Sequence, residues 1–122
     1  MADAAKKREL KREYMETSIP AGVFQIQNTV NGKVFVAAGV NLNGKMNSHR
    51  AQLEFGSHRN AALQADWKEF GPDSFKFEIL DFMEPDNDPA RNIAEDVAVL
   101  EAMWLDKIEP YGDKGYNVRP VK

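Results

Sequence analysis

Two short apolar runs open the patterned part of the chain, Val23 to Ile26 and Val34 to Ala38, split by Val30-Asn31-Gly32-Lys33. Asn-Gly between such runs is a strong hairpin signal, because both residues tolerate the positive φ that a tight reversal needs. The connection is longer than two residues, which leaves the turn type open. Side chains alternate along a strand, so Val23 and Gln25 fall on one face of the hairpin and Phe24 and Ile26 on the other. A third alternating run, Phe75, Phe77 and Ile79 against Lys76, Glu78 and Leu80, predicts another strand. The expected strands are residues 22–28, 33–38 and 74–81, joined in one antiparallel sheet.

The remaining patterned segments repeat with helical spacing. Asn41 can cap a helix reaching about Phe55, with Leu42, Met46 and Leu53 apolar and Lys45 and His49 one turn apart beside them. Gly56 ends it. Asn60 caps a second helix, Ala61 to Phe70, with Leu63, Trp67 and Phe70 inward and Gly71 as its stop. The longest helix runs from about Arg91 to Ile108 and is halted by Pro110. Met83 to Pro89 is acidic, contains two prolines and reads as a loop. The order ββααβα predicts an α+β fold, a three-stranded antiparallel sheet flanked by helices, with Trp67 and Trp104 in its core. Ahead of Pro20, residues 1–19 form a charged helix or arm, and residues 20–122 form the globular domain.

One carboxylate breaks the pattern. The apolar stripe of the third helix is Ile93, Val97, Leu100, Trp104, Leu105 and Ile108, and Glu101 sits inside it, whereas Glu95, Asp96 and Asp106 lie off its centre. Burying a carboxylate is costly unless it is paired or binds a cation. Three readings stand: an edge position reaching water, an ion pair with Lys45 or an arginine, or a ligand for a hard divalent ion such as Mg²⁺. Periodicity alone favours the edge.

Composition narrows the classes. At 122 residues, 43% hydrophobic, with two Trp and seven Phe, the chain suits one globular domain. Its formal net charge is -3, so any grip on nucleic acid must come from a local basic patch. With no cysteine and two histidines, disulfide frameworks and zinc fingers are excluded. No apolar run is long enough to span a membrane, and Met1 to Met15 lacks the apolar stretch of a secretory signal, so a cytoplasmic protein is expected.

From Gly22 to Asn117 the chain resembles the GIY-YIG nuclease superfamily. The pieces are Gly22-Val23-Phe24 and Phe35-Val36-Ala37 for the two signatures, then Asn41-Leu42, Gly56-Ser57-His58-Arg59-Asn60, and Trp67-Lys68-Glu69-Phe70-Gly71. Phe75-Lys76-Phe77-Glu78-Ile79-Leu80, Leu100-Glu101 with Trp104-Leu105, and Gly115-Tyr116-Asn117 complete the series. Their order and spacing carry the resemblance; no piece is specific alone. It implies a metal-dependent endonuclease using Mg²⁺ or Mn²⁺ on a nucleic-acid partner. By position, Lys45 and His49 take catalytic roles and Glu101 holds the metal. Phe24, Phe35, His58 and Asn117 contact or support substrate, and Phe24, Phe35, Lys45, His49 and Glu101 are expected to line one concave surface.

Four positions depart from the pattern. Phe24 and Phe35 stand where the superfamily has tyrosines and cannot hydrogen-bond a water. Ala37 replaces a glycine, adding a Cβ where substrate backbone would approach, and Lys45 lacks the planar fork of arginine. His49 could substitute as base, or Tyr111 or Tyr116 could supply a migrated hydroxyl. Two functions follow: a nuclease with weak or lost hydrolysis, or a non-catalytic nuclease-fold module that binds nucleic acid or a protein.

Overall fold

The computed structural model describes residues 20–83 and 92–118. The expected charged arm, residues 1–19, and most of the acidic loop lie outside the described residues. Strands β1 (Ala21–Asn28), β2 (Val34–Gly39) and β3 (Phe75–Met83) form one antiparallel sheet in the order β2-β1-β3. Helices α1 (Leu42–Phe55) and α2 (Ala61–Phe70) precede β3, and α3 (Ile93–Ile108) follows it. The α+β architecture expected from the pattern is the one observed.

Local chemistry accounts for the boundaries. Residues 29–33 close the hairpin: Asn28 N donates to Lys33 O at 2.9 Å, and Gly32, at φ 80°, donates to Asn28 O at 2.8 Å. Asn41, Asn60 and Asn92 each accept from a backbone N–H in the first turn of α1, α2 and α3, supplying the donor-starved helix starts with side-chain oxygens. Gly56 ends α1 in the left-handed region at φ 77°, and its N–H returns to Gln52 O and Leu53 O.

The two sheet faces bury different things. Phe24, Ile26 and Ala37 pack with Leu42 and Leu53 of α1, Leu63 and Trp67 of α2, and Tyr116. Phe35, Phe75, Phe77 and Ile79 lean on that cluster from the sheet. The opposite face carries Val23 and Val36, both buried, and α3 crosses it over β1 and β2 with Val97 inward. Trp104 is half-buried rather than in the core: its indole N–H donates to the Asp81 carboxylate at 3.3 Å, and Lys107 lies 4.8 Å from its ring centre. An indole needs a partner for its N–H, and the polar rim of the sheet provides one.

Strand β3 runs past the expected end at 81, continuing across a bulge. Val23 pairs with Asp81 but Phe24 pairs with Ile79, which leaves Leu80 extra and reverses the in-out phase for the last residues. Strict alternation from Phe75 cannot signal that continuation.

The free edge of β2 is covered by the C-terminal segment. Val34 and Gly115 form a parallel bridge, Tyr116 N donates to Val34 O at 2.9 Å, and the Asn117 side chain completes the row. Its Oδ1 accepts from Val36 N at 2.8 Å and its Nδ2 donates to Val36 O at 2.9 Å, so one amide group stands in for a peptide of a neighbouring strand. Behind this strap, the Tyr116 hydroxyl donates to Asp66 Oδ2 at 2.7 Å and accepts from buried Asn28 Nδ2 at 3.1 Å.

Gly22, the first residue of the first signature, has a steric reason. A Cβ there would run into the Asp81 carbonyl oxygen and stand 2.7 Å from the Phe82 Cα. Both obstacles are backbone of the adjacent strand. Gly22→Ala should therefore cost about 1–3 kcal/mol, the usual toll of overpacking a filled site, read as a lowered urea midpoint with an unchanged slope. A midpoint equal to that of the unsubstituted protein would contradict the tight β1–β3 contact.

Candidate active site

A pocket of about 780 Å³ opens where α1, the α1–α2 connection, β2 and the C-terminal strap meet. Phe35 floors it from β2, Lys45, Ser48, His49 and Gln52 come from α1, and Ser57, His58 and Arg59 come from the connection. Helical spacing explains the α1 group, since residues three, four and seven apart share a face. Gly39 allows Lys45 to lie against the end of β2: a Cβ at Gly39 would stand 3.3 Å from the Lys45 Cβ and Cγ.

Phe24 is not on the pocket surface. It is fully buried, and its ring meets His49 edge-on at 5.6 Å from below. Phe35 is half-buried and lines the pocket, its ring 5.5 Å from His49 and 5.6 Å from His58. Ala37 is also buried, its methyl part of the core cluster, so it does not obstruct an approaching substrate. The two signature phenylalanines thus differ: Phe24 positions His49 by packing, whereas Phe35 faces the opening.

The histidines form a bonded pair. His49 Nδ1 and His58 Nε2 are 2.7 Å apart, and Asn60 N–H donates to His58 Nδ1 at 3.0 Å. His58 is buried, and its backbone N–H donates to Gln64 Oε1 at 2.9 Å. Both ring nitrogens of His58 are therefore engaged within the protein. Burial, then His58, then Lys45 push the His49 pKa down to about 4, and burial also lowers that of His58. The expectation of His49 as a base near neutral pKa needs correction on that point: desolvation removes its charged form from the physiological range.

Asn117 lines the pocket, but its amide uses both polar ends on Val36, which makes it a support of the wall rather than a free contact. The Tyr116 hydroxyl is held by Asp66 and Asn28 in the core and is not a migrated catalytic hydroxyl. Arg59, Ser48, Ser57 and Gln52 also line the pocket, though the sequence pattern marked none of them as a site residue. Ser48 and Gln52 share the helical face of Lys45 and His49, and the turn after α1 adds Ser57 and Arg59.

Glu101 stands apart from the pocket wall. It is half-buried on α3, and among the described residues no ion pair or hydrogen bond holds its carboxylate. Burial raises its pKa, and the charge of Lys45 acts to lower it. The single concave surface expected for five residues is thus reduced: Phe35, Lys45 and His49 share it, Phe24 lies beneath, and Glu101 lies on α3 outside the lining. No group of three or more His, Cys, Asp or Glu side chains among the described residues could hold a metal. A lone, unengaged carboxylate still fits Mg²⁺ or Mn²⁺, since such ions keep waters and take substrate oxygens beside one or two carboxylates. No described helix is long and apolar enough to cross a membrane.

No protein-family model matches the chain, and no curated protein matches it. Solved structures do. The catalytic domain of the homing endonuclease I-TevI is 25% identical with a TM-score of 0.66, covering 82% of this chain and 99% of that one. A mutant of the same intron endonuclease domain is 23% identical with a TM-score of 0.66, covering 84% of this chain and 97% of that one. I-TevI is a GIY-YIG homing endonuclease, and the present chain has a GIY-YIG-like fold.

The histidine pair makes stability depend on pH. The folded His49 pKa, about 4, lies below the ordinary 6.5, so the unfolded chain takes up a proton first as pH falls. Its contribution is fully present above pH 6.5 and is lost progressively towards pH 4. His49→Phe, whose ring suits the aromatic slot between Phe24 and Phe35, should flatten that decline in urea denaturation across the same interval. Equal declines in both proteins would show that His49 does not titrate as its surroundings require.

Proposed function

We propose that this protein is a nuclease-fold protein whose pocket receives a phosphodiester of nucleic acid, with DNA as the expected partner, and whose metal-dependent hydrolysis is weak or lost. The observation that carries the reading is the lining of the pocket: Lys45, Arg59 and the His49 ring converge beside Phe35, where a hydroxyl is missing. Cationic donors around a concave site suit a phosphate, whose oxygens only accept hydrogen bonds. The likeness to an endonuclease catalytic domain supports nucleic acid as the source of that phosphate.

Each residue has a task in this reading. Lys45 and Arg59 offset phosphoryl charge, Lys45 as a point charge on an exposed stem and Arg59 as a planar fork. Glu101 is the residue that would hold Mg²⁺ or Mn²⁺, which when bound stabilises phosphate-oxygen charge. Gly39, Asn117 and Phe24 fix the walls. Activation of water is the step without an owner: Phe24 is buried and Phe35 carries no oxygen.

A second reading, a non-catalytic module that binds nucleic acid or a protein, draws on that same gap. The two separate cleanly. Phe35→Tyr places a hydroxyl at the pocket surface and should raise metal-dependent nicking of a supercoiled plasmid by about 100-fold, the typical worth of one positioned acid–base group. Lys45→Arg should add to this, and Glu101→Ala should abolish whatever cleavage remains. If Phe35→Tyr gains nothing and Glu101→Ala changes neither cleavage nor Mn²⁺ binding, the binding-module reading stands instead.

A further inference from the structure

We infer that His58 locks His49 in the neutral tautomer protonated at Nε2, so that His49 serves the pocket as a fixed hydrogen-bond donor and not as a general base. The inference follows from one donor that cannot be reversed. The Asn60 backbone N–H points at His58 Nδ1 from 3.0 Å, and a backbone amide only donates. Nδ1 of His58 must therefore present its lone pair, which puts the ring proton on Nε2. That nitrogen lies 2.7 Å from His49 Nδ1, so His58 donates and His49 Nδ1 accepts. A neutral His49 then carries its own proton on Nε2. The opposite polarity would set a proton on His58 Nδ1 against the Asn60 N–H, and a proton added to His49 Nδ1 would face the His58 Nε2 proton.

The chain is held at its origin. Asn60 Oδ1 caps α2 by accepting from Leu63 N at 2.9 Å, and its Nδ2 donates to Tyr116 O at 2.6 Å, so the amide that starts the relay cannot swing away. Gln64 holds the middle member, accepting from the His58 backbone N–H and donating to Leu53 O at 3.0 Å. The His49 ring is held between Phe24 and Phe35. The charged and titratable groups around it are Lys45 one turn back on α1, with His58 and Arg59 from the α1–α2 connection, while Glu101 of α3 acts on Lys45 through its charge.

The chemical consequence is specific. A nitrogen that already carries a proton cannot take one from water, but it can donate to a phosphate oxygen without bringing a charge. His58 is thus a positioning residue, acting through His49. It would leave the pocket with donors from Lys45, Arg59 and His49 and no basic lone pair. The choice of phosphate as the ligand rests on the function proposed above; the tautomer does not.

Two-bond ¹H–¹⁵N correlation spectra of the whole protein near neutral pH test the lock without any ligand. Both histidines should show an unprotonated, pyridine-type Nδ1 and a protonated, pyrrole-type Nε2. In His58→Leu, His49 should become a mixture of tautomers with its titration midpoint moved up towards 6.5, whereas His58→Gln should restore the single tautomer by donating from its amide. A pyrrole-type Nδ1 on His49 in the unsubstituted protein overturns the inference, and that spectrum suffices even if His58→Leu does not fold. An unchanged His49 pattern in folded His58→Leu also overturns it. Binding of a short labelled oligonucleotide then tests the donor role: His49→Gln, which retains an N–H, should bind within a few-fold, and His49→Leu about tenfold more weakly. The expected tautomer together with no oligonucleotide binding would refute the phosphodiester reading and leave the lock standing.

Discussion

Asn60 is the joint on which the site depends. Its side-chain oxygen starts α2, its side-chain nitrogen holds the C-terminal strap at Tyr116 O, and its backbone N–H sets the orientation of His58. Each bond serves a different element, and all three meet beside one pocket. A residue that could cap the helix but not reach the strap would leave the edge of β2 less firmly covered. The strap itself uses the edge hydrogen-bonding groups of β2, through Tyr116 N to Val34 O and the Asn117 amide to Val36. Sheet edge, helix start and histidine pair are therefore parts of one polar network, set against an apolar core of Phe24, Ile26, Leu53, Leu63 and Trp67.

That network divides the residues near the pocket into two kinds. His58, Asn60, Gln64 and Asn117 have their polar atoms engaged by other parts of the protein and shape the walls. Lys45 and Arg59 are exposed and carry the charge that a ligand would meet. Phe35 lines the opening with a ring that carries no oxygen. Phe24 lies beneath the surface, and a phenyl ring is well suited to its enclosed slot under His49. A phosphate-holding pocket without a base is the simplest account of this combination.

Much of the fold was legible in the sequence because its signals are local. Asn41, Asn60, Gly56 and Gly71 mark the ends of α1 and α2, and the hairpin is written in Asn31-Gly32 and its flanking runs. The bulge at Leu80 was hidden, since the shift in phase depends on what β3 pairs with. Trp104 read as core from its place in a stripe, but its indole N–H found Asp81 at the sheet rim. The site was less legible than the fold. Lys45 and His49 follow from helical spacing, yet the bond between His49 and His58 joins residues nine positions apart across a turn, and Arg59 enters the pocket by the same turn. The commitment of Asn117 to Val36 is a contact across 81 positions, beyond any local pattern. Glu101 stood out as a carboxylate in an apolar stripe, and the structure leaves it half-buried, with no partner for its carboxylate among the described residues.

The central claim is that the pocket holds a phosphate through donors and lacks a base. The most direct measurement is a crystal structure of the protein with a short DNA duplex and Mg²⁺. The account predicts an uncleaved phosphodiester in the pocket, with phosphate oxygens in reach of Lys45, Arg59 and the Nε2 proton of His49, and Glu101 turned towards the bound ion. Cleaved DNA in the pocket, or a duplex seated on another face with these residues untouched, would contradict it.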